Sequence, residues 1–439
     1  DSEEITALIN KTCGYEGKDS GDRFPDKEML GKACRIFAKQ FDPEWGGFGG
    51  APKFPAPHNL LFLMRYAKEE QETEALHMAE TTLNAMADGG IHDHIGGGFS
   101  RYSTDAQWLV PHFEKMLYDN ALLILAYLEA YRVTEKVKYK DMVKDIADYI
   151  LRELTDREGG FYCGQDADSE GVEGKYYVFT PEEVISVLGE AQGKEFCRRY
   201  GITEEGNFEG KSIPNRIHPG QTKENCWADD GGRLYEYRKN RTSLHKDDKI
   251  LLSWNAWTIL ALARAGAALK ERRYLEAAKK AREFIETHMN GEDGRLYLRY
   301  RDGEAAHQGQ LEDYAVYTLA LLELYRADFQ VEYLSCAIRR AGQMLRFFED
   351  ENAGGYFINA WDAAQLIARP KEMYDGAMPS GNSVAAMALQ KLAALTGEVK
   401  WQGAAERQLR YCAREAYEYP AGCSFALLAM AEAIYPHRD

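Results

Sequence analysis

Six segments of this chain are apolar on nearly every face, and they constrain the fold more than any other feature of the sequence. An α-helix without a polar face must be buried on all sides. The segments alternate along the chain with amphipathic helices, which can cover them from outside. The predicted buried helices are residues 59–66, 121–131, 254–269, 315–325, 384–395 and 424–434.

Each amphipathic helix carries one apolar stripe. In residues 139–154, for example, Met142, Val143 and Ile146 fall on one face, and Lys140 and Asp148 lie elsewhere. This pattern is typical of a helix at the surface of a domain. The predicted surface helices are residues 26–41, 74–88, 139–154, 274–289, 332–349 and 401–417, with a shorter pair over 181–188 and 194–200.

Related tripeptides begin the buried helices and indicate a repeat. They recur at steps of about sixty residues, or twice that, which is the length of a helical hairpin plus a loop. An open stack of hairpins would need polar terminal helices, but residues 424–434 are as apolar as the central ones. The sequence therefore predicts an all-α, (α/α)6-type toroid of six to seven helical hairpins. The tripeptides are Asp119-Asn120-Ala121, Trp254-Asn255-Ala256, Glu312-Asp313-Tyr314 and Gly381-Asn382-Ser383.

Long glycine-rich loops precede the buried helices, whereas only a few residues follow them. The long loops should therefore gather at one end of the barrel, where binding residues usually lie. Gly-Gly-aromatic turns recur in them and predict short β-hairpins at that end. We predict a barrel domain over residues 26–439 and an N-terminal linker remnant over 1–25. Because residue 1 is not Met, we expect the chain to be a piece of a longer protein.

Charge and composition narrow the range of partners. Asp and Glu number 70 against 54 Lys and Arg, for a net charge of −16, so nucleic acid and anionic membranes are poor partners. The longest apolar stretch, residues 256–269, is too short to span a bilayer. Eight cysteines without paired spacing indicate reduced thiols. Because no signal sequence is visible, we expect a cytoplasmic protein that binds a small molecule.

Residues 89–120 are the richest candidate for a site. They contain three histidines immediately before a helix that becomes wholly apolar. Since Pro111 suits a first helical turn, we expect His112 and Glu114 near the positive end of that helix. The polar groups would then face a pocket, although they could instead form a structural network. The candidates are His92, His94, Arg101, Tyr102, Asp105, Trp108, His112, Glu114, Asp119 and Asn120.

A second candidate is the acidic segment around Asp166 and Asp168. Neighbouring carboxylates can raise one another's pKa and so divide acid and base roles. The segment could also bind Ca²⁺, but the ligand spacing of an EF-hand is absent. A solvated acidic turn is an equally good interpretation.

A third set of polar residues lies at the starts of other buried helices. The repeat would direct these side chains towards one centre, although each is also an ordinary capping or ion-pairing type. Aromatic residues beside the loops, such as Trp254, offer surfaces on which a sugar ring can stack. The set comprises Trp254, Asn255, Glu312, Asp313 and Asn382.

Cofactor and metal motifs are missing from the sequence. Neither a P-loop nor a dinucleotide-binding glycine motif is present, and no G-x-S-x-G or H-E-x-x-H motif occurs. His92-Asp93-His94 has no further ligand at a reinforcing spacing. We therefore predict no metal and no cofactor.

Several motifs resemble the thioredoxin-domain-containing family related to spermatogenesis-associated protein. The matching stretches are GGFGGAPKFP (46–55), GGIHDHIGGGFSRYSTDAQWLVPHFEKMLYDNA (89–121), GGFYCGQDADSEG (159–171), DDKILLSWNA (247–256), LEDYA (311–315) and DGAMPSGNS (375–383). The resemblance implies a six-hairpin barrel similar to the N-acylglucosamine and cellobiose 2-epimerases. Members of the family carry a thioredoxin-like domain ahead of the barrel. Residues 1–25 are too few for one, so the resemblance implies no redox activity here.

Three functions remain open. The first is a sugar epimerase or isomerase that acts on a small neutral sugar, with His94 and His112 as acid and base, Glu114 orienting one of them and Arg101 holding the enediolate oxygen. The second is a glycoside hydrolase that pairs Asp166 or Asp168 with Glu312 or Asp313. The third is a barrel that binds a ligand or protein without catalysis. The oligomeric state stays open.

Overall fold

The computed structural model describes residues 23–218, 230–364 and 368–436, and these are mostly helical. The predicted linker over 1–25 lies largely outside the described residues. The helices are α1 (Lys27–Gln40), α2 (Pro57–Glu70), α3 (Thr73–Asp88), α4 (Leu117–Thr134), α5 (Val137–Glu153), α6 (Pro181–Leu188), α7 (Glu190–Arg199), α8 (Asp230–Arg241), α9 (Leu252–Leu269), α10 (Arg272–His288), α11 (Leu311–Asp328), α12 (Val331–Phe348), α13 (Gly381–Thr396), α14 (Val399–Ala416) and α15 (Ser424–Ile434).

The six helices predicted to be buried form a closed inner ring. In chain order, α2, α4, α9, α11, α13 and α15 each pack against the next, and α15 packs back against α2. Their residues are buried on every face; in α11, for example, buried side chains run almost without a break from Leu311 to Leu324. The predicted (α/α)6 toroid is therefore confirmed.

The amphipathic helices form the outer layer. α3, α5, α10, α12 and α14 each pack on the inner helix that precedes them. The sixth hairpin joins the two ends of the described chain, because α1 packs against α15 and the 3-10 turn Pro420–Cys423. The turns from inner to outer helices are tight, since the residue after an inner helix adopts a left-handed conformation that satisfies the last carbonyls. These residues are Gln71, Glu135, Lys270, Phe329 and Gly397.

The shorter predicted pair lies outside the ring. α6 and α7 pack together, and α8 packs on α6. Their shared core includes Val184, Phe196 and Leu234 and is separate from the main core. In the described part of the chain the barrel thus has six hairpins, and helices α6, α7 and α8 form an attachment to its loop end.

Short strands build the loop end. β9 and β10 form the longest hairpin, and a three-stranded sheet has the order β3-β4-β7. Pro111 and His112 lie in a strand instead of the expected first helical turn, because they pair with Tyr102 and Ser103. The strands are β1 (Tyr102–Ser103), β2 (Pro111–His112), β3 (Lys115–Met116), β4 (Gly164–Gln165), β5 (Asp168–Ser169), β6 (Val172–Glu173), β7 (Lys246–Asp247), β8 (Ile250–Leu251), β9 (Tyr297–Arg301) and β10 (Glu304–Gln308).

Charged side chains from all six inner helices meet near the C-terminal ends of those helices. Except for Glu323, they line a cavity of about 660 Å³ that also contacts Trp257 and Phe425. Taken one from each helix in ring order, their signs alternate, and Glu323 and Lys391 each lie within 4 Å of two opposite charges. We call them the axial charge ring: Arg65, Glu129, Arg264, Glu323, Lys391 and Glu432.

Glu323 is the most heavily paired member of this ring. Its carboxylate lies 2.9 Å from the Arg264 guanidinium and 3.4 Å from the Lys391 ammonium. Burial opposes ionisation, but Arg264 and Lys391 outweigh it and hold the pKa of Glu323 below its usual range. Within the described ranges, no helix is both long enough and apolar enough to cross a membrane.

We expect Glu323→Ala to lower the free energy of unfolding by roughly 2–3 kcal/mol, because it leaves the partly buried Arg264 without its carboxylate partner and Lys391 with Glu432 alone. Glu276→Ala is the matched control, since its ion pairs lie at the surface and each contributes less than about 1 kcal/mol. Urea denaturation at pH 7 measures both. Equal, small effects of the two variants would contradict the importance of the ring.

Candidate functional site

Asparagines at the starts of three inner helices hold the loops in place. The Asn255 amide accepts from the Phe161 backbone N–H and donates to the carbonyls of Phe161 and Leu251. Asn120 makes the same three contacts with Phe99 and Met116. Asn382 clamps Tyr356 in the same way. In each case the partner is the aromatic residue of a Gly-Gly-aromatic turn.

These contacts correct the expected role of Asn120, Asn255 and Asn382. All three are fully buried, and backbone carbonyls take both N–H donors of each amide. No donor and no exposed surface remain for a sugar hydroxyl. The repeat at the helix starts is therefore a structural clamp, which we call the asparagine clamp.

The Gly-Gly-aromatic turns are themselves built alike. Lys115 donates to Asp93 and to the Gly97 carbonyl, and Lys53 and Lys371 do the same in two other turns. The second glycine must lack a side chain: at Gly98, with φ of 74°, a Cβ would lie 2.4 Å from Tyr149.

Two of the three predicted histidines belong to this turn and not to a pocket. His92 Nε2 lies 3.0 Å from Asp145 Oδ2, and the ring stacks on Phe99. His94 Nε2 bonds to the Gly89 carbonyl. Burial, followed by the nearby His92, lowers the pKa of His94 well below its usual value. The His94 ring packs against His92 and Tyr200, so His94 is a structural part of the turn.

Asp93 anchors the attached helices to this turn. Its carboxylate accepts from Arg238 on α8 at 2.7 and 2.9 Å as well as from Lys115. Burial works against ionisation, but the two cations hold the pKa of Asp93 well below its usual value. The His92-Asp93-His94 motif therefore joins two parts of the fold. Among the described residues, no cluster of three or more His, Cys, Asp or Glu is placed to hold a metal ion.

Two further candidates stabilise the same loop. The Asp105 carboxylate accepts from the backbone N–H groups of Gln107, Leu109 and Val110. Trp108 is fully buried, and its indole N–H donates to the Trp45 carbonyl. Neither side chain is therefore available to contact a sugar.

The remaining members of residues 89–120 do come together, around Arg101. Its guanidinium lies 3.7 Å from Glu114 and next to the Tyr118 hydroxyl, which also adjoins the Asp119 carboxyl group. Glu114 Oε2 also lies 3.5 Å from His112 Nδ1. Arg101, His112 and Glu114 are each about a third exposed. We call these five residues, Arg101, His112, Glu114, Tyr118 and Asp119, the Arg101 cluster.

Asp119 is the buried acid of this cluster. Burial raises its pKa well above the usual value, and Arg101 only partly opposes this. Its Oδ2 is buried without a hydrogen-bond partner among the described residues. A neutral carboxyl group with an unused oxygen can donate or accept one proton.

Trp254 connects the Arg101 cluster to the next inner helices. Its ring contacts that of Tyr118 at 4.8 Å, and part of it remains exposed. The backbone N–H of the neighbouring Ser253 donates to Asp313 at the start of α11, and the Ser253 side chain adjoins Glu312. The first turns of α4, α9 and α11 thus carry one continuous group of polar and aromatic side chains.

Glu312 is a second acid in this group, half-buried as a residue but with its Oε1 atom buried. Burial and then the neighbouring Asp313 raise the pKa of Glu312 to about 8, and its Oε1 has no partner among the described residues. Burial also raises the pKa of Asp313, to about 7. However, both oxygens of Asp313 accept backbone N–H groups, those of Ser253 and Gln310. Asp313 is therefore a helix cap, and Glu312 is the free acid of the pair.

The structure separates the two aspartates of the acidic segment. Asp168 is exposed in the β5–β6 hairpin. Asp166 is half-buried and follows β4, where the register opposite β3 continues to Glu114. Its backbone N–H donates to His245 on the other side. Asp166 thus borders the Arg101 cluster, and Asp168 does not.

Sequence reasoning missed Tyr118 and Ser253, which join the predicted acids to one another. Each adjoins a residue that we did single out, but tyrosine and serine in helices are common, so only contact could distinguish them. Asp375 appears similar to the two acids, since burial raises its pKa to about 6. Its oxygens nonetheless accept from Ser380 and Phe425 N–H groups, which makes it structural.

Sequence comparison finds relatives of this chain in several species. Spermatogenesis-associated protein 20 from Homo sapiens is 37% identical over 411 residues, which cover 82% of this chain and 52% of that protein. The chain is homologous to about half of that protein. The Rattus norvegicus protein is 36% identical over 434 residues, with 87% and 55% covered. An uncharacterized protein from Caenorhabditis elegans is 32% identical over 463 residues, with 95% and 63% covered. The chain spans about half the length of the first of these relatives. No protein-family model matches.

Solved structures confirm the barrel architecture. A D-mannose isomerase covers 94% of this chain and is itself covered to 98%, with a TM-score of 0.61 and 12% identity. A cellobiose 2-epimerase from Bacillus thermoamylovorans covers 93% of this chain and is itself covered to 100%, with a TM-score of 0.61 and 12% identity. A family 76 α-mannanase from Bacteroides thetaiotaomicron covers 93% of this chain and is itself covered to 97%, with a TM-score of 0.55 and 12% identity. At this identity the likeness establishes the fold.

We expect Asn255→Ala to lower the free energy of unfolding by roughly 3 kcal/mol, because it leaves the buried backbone groups of Phe161 without partners. The exposed Asn240 on α8 is the control, and its replacement by Ala should change stability by less than about 0.5 kcal/mol. Thermal and urea unfolding measure the difference. A tolerated Asn255→Ala would refute the clamp.

The raised pKa of Glu312 predicts a loss of stability with rising pH. Unfolding returns this carboxyl to its ordinary pKa, so the folded state holds a proton that the unfolded state releases between about pH 5 and 8. Stability therefore falls across that range, by an amount on the order of 3 kcal/mol. Glu312→Gln mimics the protonated form and should lack this part of the fall.

Urea denaturation at pH 5 and pH 8 measures the effect. Glu283→Gln on α10 is the control, because that side chain is exposed. If the wild type and Glu312→Gln show the same pH dependence, Glu312 is not held neutral by burial.

Proposed function

We propose that this chain is a carbohydrate-active enzyme that binds a neutral sugar at the N-terminal ends of the inner helices. We further propose that it transfers a proton next to the sugar carbonyl, as an epimerase or isomerase does. The observation that carries the proposal is the Arg101 cluster. It brings a histidine that is about a third exposed, a cation and a buried acid with a raised pKa together beside a partly exposed tryptophan.

The chemistry assigns one role to each group. His112, oriented by Glu114, removes the proton from the carbon beside the carbonyl. The oxygen then gains negative charge, which Arg101 stabilises because its guanidinium is always charged. Asp119, which is neutral before the reaction, donates its proton to the sugar from the side on which Asp119 lies. Protonation of the same carbon inverts its configuration, as in an epimerase, and protonation of the former carbonyl carbon moves the carbonyl group, as in an isomerase. Trp254 supplies the surface on which the sugar ring stacks.

Asp119 takes the role that the sequence suggested for His94. The two residues lie in the same loop–helix segment, but His94 bonds to a backbone carbonyl and packs against His92 and Tyr200 inside a turn, whereas Asp119 lies beside Arg101 and Tyr118. Two of the solved structures with this fold are named for the same class of reaction, D-mannose isomerase and cellobiose 2-epimerase. They support the proposal as examples of what the fold can perform.

Glycoside hydrolysis is a second candidate, and Glu312 favours it. A buried acid that stays protonated near neutral pH can protonate a leaving glycosidic oxygen, and Asp166 is an available carboxylate at the same end. A fold neighbour of TM-score 0.55 and 12% identity is an α-1,6-mannanase inactivated by replacing two consecutive aspartates. Release of reducing ends from α-1,6-mannotetraose, abolished by Glu312→Gln, would select this reaction over epimerisation.

The epimerase proposal predicts deuterium uptake at C2 of a sugar incubated with the protein in heavy water. A panel of common aldoses and ketoses together with cellobiose, followed by NMR, identifies the substrate. Asp119→Asn and His112→Ala should each slow the exchange by roughly 100-fold or more. Asp141→Asn, an exposed acid on α5, should leave the rate unchanged.

Two results would overturn the proposal. In the first, no sugar of the panel exchanges with the wild-type protein. In the second, Asp119→Asn exchanges as fast as the wild type, which would remove the acid on which the scheme depends. Exchange without any release of reducing ends would exclude the hydrolase.

A further inference from the structure

Three aromatic rings form a stack beside the Arg101 cluster. The rings of Phe54 and Tyr102 have centroids 4.9 Å apart at 29°, and those of Tyr102 and His112 are 5.2 Å apart at 9°. The backbone explains the alignment. Lys53 pairs with Ser103, and Tyr102 pairs with His112, so three extended segments place their rings on one face as cross-strand neighbours.

The outer end of this stack is left open to solvent. Phe54 is 50% exposed, although most phenylalanines of the chain, such as Phe37 and Phe62, are buried in the core. An exposed aromatic face that is held rigidly by two further rings loses little conformational entropy when a ligand covers it. The stack therefore has the geometry of a preformed platform.

The inner end of the stack is continuous with the proposed site. His112 is both the third ring of the stack and the neighbour of Glu114, at 3.5 Å. Glu114 in turn lies 3.7 Å from Arg101, whose partners lead to Asp119 and Trp254. A molecule bound on Trp254 and extending outward would pass the charged Arg101 and Glu114 and then reach Phe54.

The order of these surfaces along the path, first aromatic, then charged, then aromatic, suits a ligand made of linked sugars. Each sugar unit offers an apolar ring face for stacking and hydroxyl groups for charged side chains. An apolar peptide would remove water from Arg101 and Glu114 at the centre of the path without offering them hydrogen bonds, which is costly. A free monosaccharide would leave Phe54 unused.

We propose that Phe54, Tyr102 and His112 form an outer sugar subsite, so that the ligand of this chain is an oligosaccharide of two or more neutral hexose units. This inference rests on the proposed function, since it takes the Arg101 cluster as the inner subsite. It adds the class of substrate: the reacting unit is the terminal residue of a longer chain, and Phe54 holds the unit beyond it.

Titration calorimetry with two series of probes tests the inference: glucose, cellobiose and cellotriose, and mannose, α-1,6-mannobiose and α-1,6-mannotriose. In one series the wild-type affinity should rise roughly tenfold from the monosaccharide to the disaccharide, as expected for one further stacked ring. Phe54→Ala should lose this gain and still bind the monosaccharide within about twofold of the wild type. Phe54→Trp should retain the gain.

Phe329→Ala is the matched control, because Phe329 is 73% exposed on a turn at the opposite end of the barrel. It should behave as the wild type in every titration. Monosaccharide binding without a gain for the disaccharide, or a gain that survives Phe54→Ala, overturns the outer subsite and leaves the proposed function intact. No binding of any probe overturns both.

Discussion

The asparagine clamp is the interaction on which the loop end of the barrel depends. A loop before an inner helix is long and rich in glycine, so its conformation would be costly to fix without a buried anchor. The amides of Asn120, Asn255 and Asn382 supply that anchor, since each fixes one turn to the start of the helix that follows it. Once the turns are fixed, the residues around the clamps, such as Asp119 and Trp254, have defined positions.

Burial then gives these positions their chemistry. The inner helices have no wet face, so an acid in their first turn lies among apolar neighbours, and burial raises the pKa of both Asp119 and Glu312. At the other end of the same helices the acids are surrounded by cations, and the pKa of Glu323 falls instead. The barrel thus raises the pKa of acids at its loop end, where burial dominates, and lowers the pKa of Glu323 in the axial charge ring, where ion pairing dominates.

The helical pattern of the sequence was sufficient to predict the barrel, because period and polarity decide which helices are buried. The site was predicted only in part. Acids such as Asp119 and Glu312 were found because a charged residue before an apolar helix is conspicuous. His92, His94 and the three clamp asparagines were assigned to the sugar because a residue's type does not reveal whether a backbone group already uses its hydrogen bonds. Phe54 was overlooked, since its partner Tyr102 lies in a distant part of the chain.

The central claim is that sugar binds at the first turns of the inner helices, and a crystal soaked in a mixture of monosaccharides and cellobiose tests it most directly. The account predicts a sugar in contact with Asp119, Arg101 and Trp254. A sugar bound instead in the 660 Å³ cavity within the axial charge ring would contradict the account. So would a loop end without sugar at concentrations that saturate the protein in solution.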